Sequence, residues 1–322
     1  MKLIIQIPCF NEEATLPMTL KEIPREFKGV DTMEILVIDD GSTDNTEEVA
    51  RKEGVDHIVK HTHNKGLAQS FATGLKESLL RDADIIVNTD GDNQYAGKDI
   101  QKLIDPVIAG RADIVIGDRD VMKIEHFSFI KKWLQRLGSW VVRHLSGTSI
   151  PDVTSGFRAF SREAALQISI LSKFTYTLET VIQAGKKNMS ITHIPVRTNE
   201  KLRPSRLFQN IPTYLKRSLG TIFKVYTLYQ PLRVFSVIGS VVFGIGFLIT
   251  LRFIYFYITG DSSGHIQSLV LSAVFMIVGF QIFVIGLMAE LISTNRKFLE
   301  DIIYHIRKIN LSMKQKDDKE QK

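Results

Sequence analysis

The sequence predicts an α/β domain built on a mostly parallel sheet with flanking helices, followed by an interfacial amphipathic helix and two transmembrane helices. Three observations carry this prediction. Short apolar runs rich in Ile and Val alternate with helical patterns through residues 1–205, which argues for a sheet covered by helices on both faces. Polar and acidic residues follow the ends of those runs, where ligands bind in open α/β sheets. Long apolar runs are confined to residues 232–292.

Taken in order, Leu3–Pro8, Glu34–Asp39, Asp84–Thr89 and Asp113–Gly117 read as short buried strands. A further strand toward one side of the sheet carries His57, His61 and His63 as a polar face. Helical patterns occupy about 12–27, 43–53, 66–82 and 97–109, with Ser42 and Thr43 ahead of Glu47 and Glu48 as a helix start. Asn11 and Glu12 follow the first strand, Asp39 and Asp40 the second, Asp90 and Asp92 the fourth, and Arg119 the fifth.

Val234–Leu251 has 18 residues without a charge and Gln267–Ala289 has 23, near the roughly 20 that span a bilayer as a helix. Lys216, Arg217, Lys224 and Arg233 precede the pair, and Arg296, Lys297, Arg307 and Lys308 follow it. Positive-inside logic puts both flanks in the cytosol and the short link outside. Ile211, Leu215, Ser218, Ile222 and Tyr226 recur at helical spacing ahead of the first span, which suits a helix lying in the interface. The expected organisation is a cytosolic catalytic domain over 1–205, an amphipathic segment over 206–231, a transmembrane hairpin over 232–292 and a cytosolic basic tail over 293–322. The charged run from Lys314 reads as unstructured. Phe127, Phe129, Trp133, Leu134, Leu137 and Trp140 form an aromatic-rich segment suited either to the core or to the interface.

The formal charge is +6. Basic residues gather beside the apolar runs instead of in one long Lys/Arg block, so membrane lipid, not nucleic acid, is the expected charged partner. Cys9 is the sole cysteine, which excludes a disulfide framework or cysteine metal site within one chain. Met1–Ile5 is too short for a signal-peptide core, so the first domain is expected in the cytosol. No Gly-x-Gly-x-x-Gly follows the first strand and no Gly-Lys-Ser/Thr loop occurs, which argues against dinucleotide and P-loop folds.

Asp90-Gly91-Asp92-Asn93-Gln94 places two carboxylates and a carboxamide in a tight turn. Hard cations take oxygen ligands and often share substrate phosphates; these three groups are too few for a closed cage but suit such a shared ion. An ordinary Asp-Gly turn is the competing reading. Arg119 and Arg158 have the fork geometry that matches phosphate oxygens.

With Pro8-Cys9-Phe10-Asn11-Glu12-Glu13, Ile38-Asp39-Asp40-Gly41-Ser42-Thr43-Asp44, His63-Asn64-Lys65-Gly66, Gly117-Asp118-Arg119 and Asp152-Val153-Thr154-Ser155-Gly156-Phe157-Arg158, this turn completes a set. Through it the chain resembles the family two inverting glycosyltransferases of GT-A fold, and among them the dolichyl- and undecaprenyl-phosphate sugar synthases. The resemblance implies Mg²⁺ or Mn²⁺ at Asp92 and Gln94, with Asp90 in the ribose or metal shell. It implies a nucleotide-sugar pocket at Pro8, Phe10, Asn11, Glu12, Asp39, Asp90 and Gly91. Arg119 and Arg158 are implied for the acceptor phosphate, and Asp92, Asp152 and Arg119 as the catalytic set. The family's basic Gly-x-Ser-Lys loop corresponds to Leu202-Arg203-Pro204-Ser205-Arg206, where Pro and Arg replace Gly and Lys; Arg203 and Arg206 are the phosphate candidates there. Of the paired acids, Asp40 is expected to be structural and to cap the helix after Gly41.

The expected partners are a nucleotide-diphosphate sugar of the UDP-glucose or GDP-mannose type and a polyprenyl phosphate; a homo-oligomer stays open. A phosphate acceptor is already anionic near neutral pH, its second pKa being about 6, so Asp152 serves either to orient the acceptor or to act as base toward its protonated form. Two alternatives remain. A membrane transferase extending a glycan on a sugar hydroxyl is disfavoured because the Gln-x-x-Arg-Trp motif of processive synthases is absent. A non-catalytic nucleotide-binding scaffold is disfavoured by the intact Asp90, Asp92 and Gln94.

Overall fold

The computed structural model describes residues 1–120, 138–144, 146–170, 176–199, 220, 223–224, 227–260 and 266–320. Its strands are β1 (Lys2–Cys9), β2 (Thr32–Asp39), β3 (His57–Lys60), β4 (Ile85–Asn88), β5 (Ile114–Asp118), β6 (Arg158–Ser161) and β7 (Ile191–Pro195). Helices α1 (Leu16–Glu22), α2 (Thr46–Lys52), α3 (Leu67–Leu80), α4 (Ile100–Ile108), α5 (Arg162–Gln167) and α6 (Thr177–Lys186) flank them. The sheet order is β3-β2-β1-β4-β6-β5-β7.

Parallel pairing sets Cys9 opposite Asp39 and Gln6 opposite Asn88, so the carboxyl end of β1 lies between those of β2 and β4. Leu3 to Cys9 is buried without a break, the pattern of a parallel strand covered on both faces. Leu3, Ile5 and Ile7 join Leu16 and Leu20 of α1 and Leu103 and Ile104 of α4 in one core. Phe71 of α3 stacks on Tyr176 at 3.9 Å and lies 5.7 Å from Phe160 of β6.

The mostly parallel α/β expectation holds, with one exception. Strand β6 runs antiparallel between β4 and β5, and β7 adds a parallel edge to β5. Neither strand stood out in the sequence, because β6 has four residues and opens on a fully buried arginine, Arg158. The histidine strand also differs from expectation. Strand β3 ends at Lys60, and His61 is buried beyond it, its Nδ1 2.7 Å from Asp40 Oδ1 and its Nε2 3.0 Å from Thr73 Oγ1.

The chain forms two compact units, Met1–Ser218 with Ile303–Lys322, and Leu219–Ile302. The second holds α7 (Pro231–Ile258) and the first part of α8 (Ile266–Glu320), two helices long and apolar enough to cross a membrane. They approach closely through small residues: a Cβ on Gly239 would lie 2.8 Å from Gly279 O, and one on Gly246 2.8 Å from Ser272 O. Such contacts are how membrane helices associate without a hydrophobic driving force. Thr250 Oγ1 adds a hydrogen bond to Ser272 Oγ at 3.1 Å.

In the first unit, the end of α8 packs on α5. Arg307 donates to Leu166 O at 3.0 Å and Ile168 O at 2.7 Å, orphan carbonyls at the end of a short helix. Tyr304 donates to Glu163 at 2.8 Å, and Leu311 is buried. The run from Lys314, read as unstructured, continues this helix to Glu320. The expected amphipathic positions Ile211, Leu215, Ser218, Ile222 and Tyr226 lie outside the described residues, as do Phe127, Phe129, Trp133, Leu134 and Leu137.

Candidate active site

Three adjacent strand ends are stitched into one surface. From β1, Asn11 N donates to Ser42 Oγ (2.9 Å) and Asn11 Oδ1 accepts from Thr43 N (2.8 Å). Asn11 takes φ of +55°, a left-handed turn that asparagine tolerates better than most residues. Glu12 N donates to Thr46 Oγ1 at 2.8 Å. Thr15 Oγ1 lies 2.7 Å from Glu12 Oε2 and 2.9 Å from Gly91 O, tying the β1 loop to the turn after β4. Pro8 and Phe10 flank the end of β1, and Gly91 is buried against Cys9, whose Sγ would lie 2.9 Å from a Cβ there. Burial pushes the Cys9 thiol well up, and the charges of Glu12, Asp39 and Asp90 push it further. The strand ends therefore concentrate negative charge.

The neighbouring acids Asp39 and Asp40 divide their work. Asp40 is structural as expected, but it does not cap the helix after Gly41: it is turned inward, accepting from Lys65 N (2.9 Å), Gly66 N (2.8 Å) and His61, and shapes the entry to α3. Asp39 accepts from Ser42 N through Oδ1 at 2.8 Å, while its buried Oδ2 has no hydrogen-bond partner among the described residues. Lys60 Nζ lies 3.8 Å from Oδ2. A buried carboxylate oxygen ordinarily finds a partner, so Oδ2 suits an N–H brought by a ligand.

Asp90, Asp92 and Gln94 sit half-buried in the turn after β4. Asp92 Oδ1 accepts from Gln94 N at 3.2 Å, and Asn93 takes φ of +55°. Asp90 faces Gly156, where an added Cβ would come within 3.1 Å of both carboxylate oxygens and 2.8 Å of Tyr176 Oη. The Gly156 peptide is locked from both sides: its N–H donates to Tyr95 Oη (3.0 Å) and its carbonyl accepts from Asn88 Nδ2 (2.8 Å). Asn88 in turn accepts from Gln6 at 2.8 Å. Burial raises Tyr95 to about 12, so it remains a protonated phenol. Among the described residues no three His, Cys, Asp or Glu side chains cluster as a metal cage. Two carboxylates and an amide, with room kept beside Asp90 by Gly156, fit an oxygen-seeking ion that takes further ligands from a diphosphate.

On the other side lies a buried ion pair. Arg119 donates from Nε to Asp152 Oδ2 (2.7 Å) and from Nη2 to Asp152 Oδ1 (3.1 Å), with a third bond to Thr154 Oγ1 (2.9 Å). Burial alone would raise the Asp152 pKa, but the Arg119 charge and hydrogen bonds outweigh it and hold the carboxyl below its usual range. Arg158 is different. It is fully buried and donates to Ser155 O, Val153 O, Thr177 O and Thr180 Oγ1. This corrects the expectation of a phosphate contact at Arg158: a guanidinium with no exposed surface clamps the loop before β6 to α6 and cannot reach a ligand. Arg203 and Arg206 lie outside the described residues.

The glycosyl transferase family 2 model matches residues 4–168, which contain each of these strand-end turns. The chain belongs to that family. It is 30% identical over 214 residues to UDP-N-acetylglucosamine–dolichyl-phosphate N-acetylglucosaminyltransferase of Methanococcus voltae, covering 60% of this chain and 83% of that one. It is 27% identical over 209 residues to polyprenol monophosphomannose synthase of Mycolicibacterium smegmatis, covering 62% and 77%. Among solved structures, glucosyl-3-phosphoglycerate synthase from Mycobacterium tuberculosis, in complex with Mn²⁺, UDP and phosphoglyceric acid, superposes with a TM-score of 0.54 at 18% identity. That match covers 70% of this chain and 78% of the other, and it shows the GT-A-type fold.

In this glycosyltransferase several residues around the turn carried no signal that sequence reasoning used. Asn88, Tyr95 and Tyr176 are spread over 89 positions, and only folding makes them one network beneath Asp90. Asn199, just past β7, also returns to the transferase's acidic turn, where its N donates to Gln94 O (3.0 Å), and nearby Arg197 pairs with buried Asp99 (2.9 Å) ahead of α4.

Proposed function

We propose that this family 2 glycosyltransferase moves a hexose, with inversion, from a nucleotide-diphosphate sugar of the UDP-glucose or GDP-mannose type to a membrane polyprenyl phosphate. The observation that carries the choice of acceptor is the Arg119–Asp152 pair. Asp152, the acid expected beside the acceptor, gives both oxygens to Arg119 and is held below the usual carboxylate range. A sugar hydroxyl needs a general base; a phosphate monoester, with its second pKa near about 6, does not. The names of the dolichyl- and polyprenol-phosphate relatives support the same acceptor class.

In this reading the orphan Asp39 Oδ2 takes an N–H of the base, with Pro8, Phe10, Asn11, Glu12 and Gly91 around the nucleoside. Asp90, Asp92 and Gln94 hold Mg²⁺ or Mn²⁺ together with the diphosphate. Such an ion, when bound, neutralises charge developing on the departing nucleoside diphosphate. Arg119, aimed by Asp152, stabilises phosphate oxygens on the acceptor side, and catalysis rests on orientation and electrostatic stabilisation. The positively charged flanks of the two long apolar helices support a cytosolic active site.

The test is a radiolabelled transfer assay on membranes with and without added polyprenyl phosphate. Label should enter a lipid product only with the polyprenyl phosphate, and EDTA or Asp92→Ala should abolish transfer while the melting temperature stays near wild type. Full activity in EDTA would remove the metal from this account. Transfer to a sugar hydroxyl without polyprenyl phosphate would favour the glycan-extending alternative.

A further inference from the structure

We infer that Asn199 is a positioning residue for the acidic turn, fixing the backbone between Asp92 and Gln94 so that both can face one cation; this rests on the metal reading of that turn. Asn93 separates the two candidate ligands and stands in the left-handed region at φ +55°, which asparagine tolerates but which leaves the direction of the turn's carbonyls to be fixed by neighbouring groups. The side chain of Asn199 supplies the hold. One Nδ2 hydrogen goes to Asn93 O at 3.1 Å and the other to Glu22 Oε2 at 2.7 Å. The Asn199 backbone N–H donates to the next carbonyl of the turn, Gln94 O, at 3.0 Å.

Both consecutive carbonyls of the turn are thereby tied to one residue, and that residue is anchored at the end of α1. Glu22 is itself set against the loop, 3.4 Å from Gly97 N. The outer edge of the same loop is zipped to the chain beyond β7 by the Tyr95–Thr198 bridge and by Ala96 N to Arg197 O at 3.3 Å. These backbone contacts do not depend on the identity of residue 199. The bond to Asn93 O does, because reaching Asn93 O and Glu22 Oε2 from one atom needs a short side chain ending in an NH₂ group with two diverging donors. Outer contacts that orient metal ligands are typically worth about 10–100-fold in metal affinity.

The experiment uses full-length protein in nanodiscs and reads Mn²⁺ binding by electron paramagnetic resonance, with UDP and, separately, GDP present. Asn199→Ala should weaken Mn²⁺ about 10–100-fold, while the melting temperature stays within a few degrees and nucleotide binding in EDTA is unchanged. Asp92→Asn serves as the control for the parent reading. Wild-type Mn²⁺ affinity in Asn199→Ala, with binding lost in Asp92→Asn, overturns the role of Asn199 and leaves the metal site standing. Unchanged Mn²⁺ binding in Asp92→Asn overturns the metal site and this inference with it. Should Asn199→Ala fail to fold, Glu22→Ala cuts the anchor while keeping the bond to Asn93; several-fold weaker Mn²⁺ binding is then expected, and wild-type affinity overturns the inference.

Discussion

Arg119 and Asp152 meet through two near-parallel hydrogen bonds, at 2.7 and 3.1 Å, where their side chains are 8% and 2% exposed. Removing one partner of such a pair leaves a buried charge uncompensated, which typically costs about 3–5 kcal/mol. The pair therefore has a structural as well as a chemical consequence. It makes Asp152 an orienting group for Arg119 and a poor proton acceptor.

The kinetic prediction follows from that assignment. Asp152→Asn should reduce transfer by less than the roughly 10²–10⁴-fold expected for loss of a general base. Its deficit should stay constant as pH falls through the acceptor's second pKa near about 6, because an orienting group takes no proton from the acceptor. Asp152 itself, with its lowered pKa, stays ionised across that window and adds no inflection. The measurement is a pH–rate profile at saturating donor for both proteins. A loss of 10²-fold or more, unchanged at pH 8.5 with fold and donor affinity intact, would falsify the orienting role.

Asp39→Asn replaces an acceptor oxygen by an N–H donor at the buried Oδ2 position or its neighbour. Donor binding should weaken by roughly 1–3 kcal/mol, the usual cost of leaving a buried polar group without its partner. Transfer at saturating donor should be less affected than the KM for donor. Calorimetric titration with UDP and GDP reads this directly, and unchanged affinity for both would place the base elsewhere.

The end of α8 bears on any truncation. Arg307→Ala should lower the stability of the full-length protein by roughly 1–3 kcal/mol, because the carbonyls of Leu166 and Ile168 lose a charged donor. A fragment ending near Ser205 should bind donor but melt lower still, and should transfer poorly to a long polyprenyl phosphate. Differential scanning calorimetry of the three proteins checks the order; a fragment as stable as the full chain would show the contact to be incidental.

Acid sensitivity should come from Asp99. Burial would raise its pKa, but hydrogen bonds from Arg197 and Lys102 outweigh that and bring it to about 2. A depressed carboxyl contributes stability that is complete above the unfolded value, about 3.9, and is lost as pH falls toward the folded one. Wild type should therefore lose stability between about pH 4 and pH 2, and Arg197→Ala should show a shallower loss there from a lower starting point. Chemical denaturation across that range is the check.

Much of the half of the sheet proposed to bind the donor was legible from local pattern alone. Ile- and Val-rich runs leading to Asn11, Asp39 and Asp90 identified β1, β2 and β4, because a buried parallel strand must be apolar and ligands bind beyond its carboxyl end. The two long apolar helices were equally plain. The acceptor half was less so. Arg119 and Arg158 looked alike in sequence, yet one pairs with the Asp152 carboxylate and the other is sealed among backbone carbonyls, since a guanidinium's role depends on which oxygens surround it.

What the sequence determined by itself was the order of elements through β5, the polar motifs at the strand ends and the membrane-length helices, all of which depend on neighbours within a few positions. Only the tertiary structure decided that Asp152 is spent on Arg119, 33 residues away, that Asp40 turns inward while Asp39 keeps an oxygen unpartnered, and that Asn199 returns to the acidic turn. Hydrogen bonds and ion pairs act over a few ångströms of space, and residues far apart in the chain reach that distance only when the sheet and its helices pack.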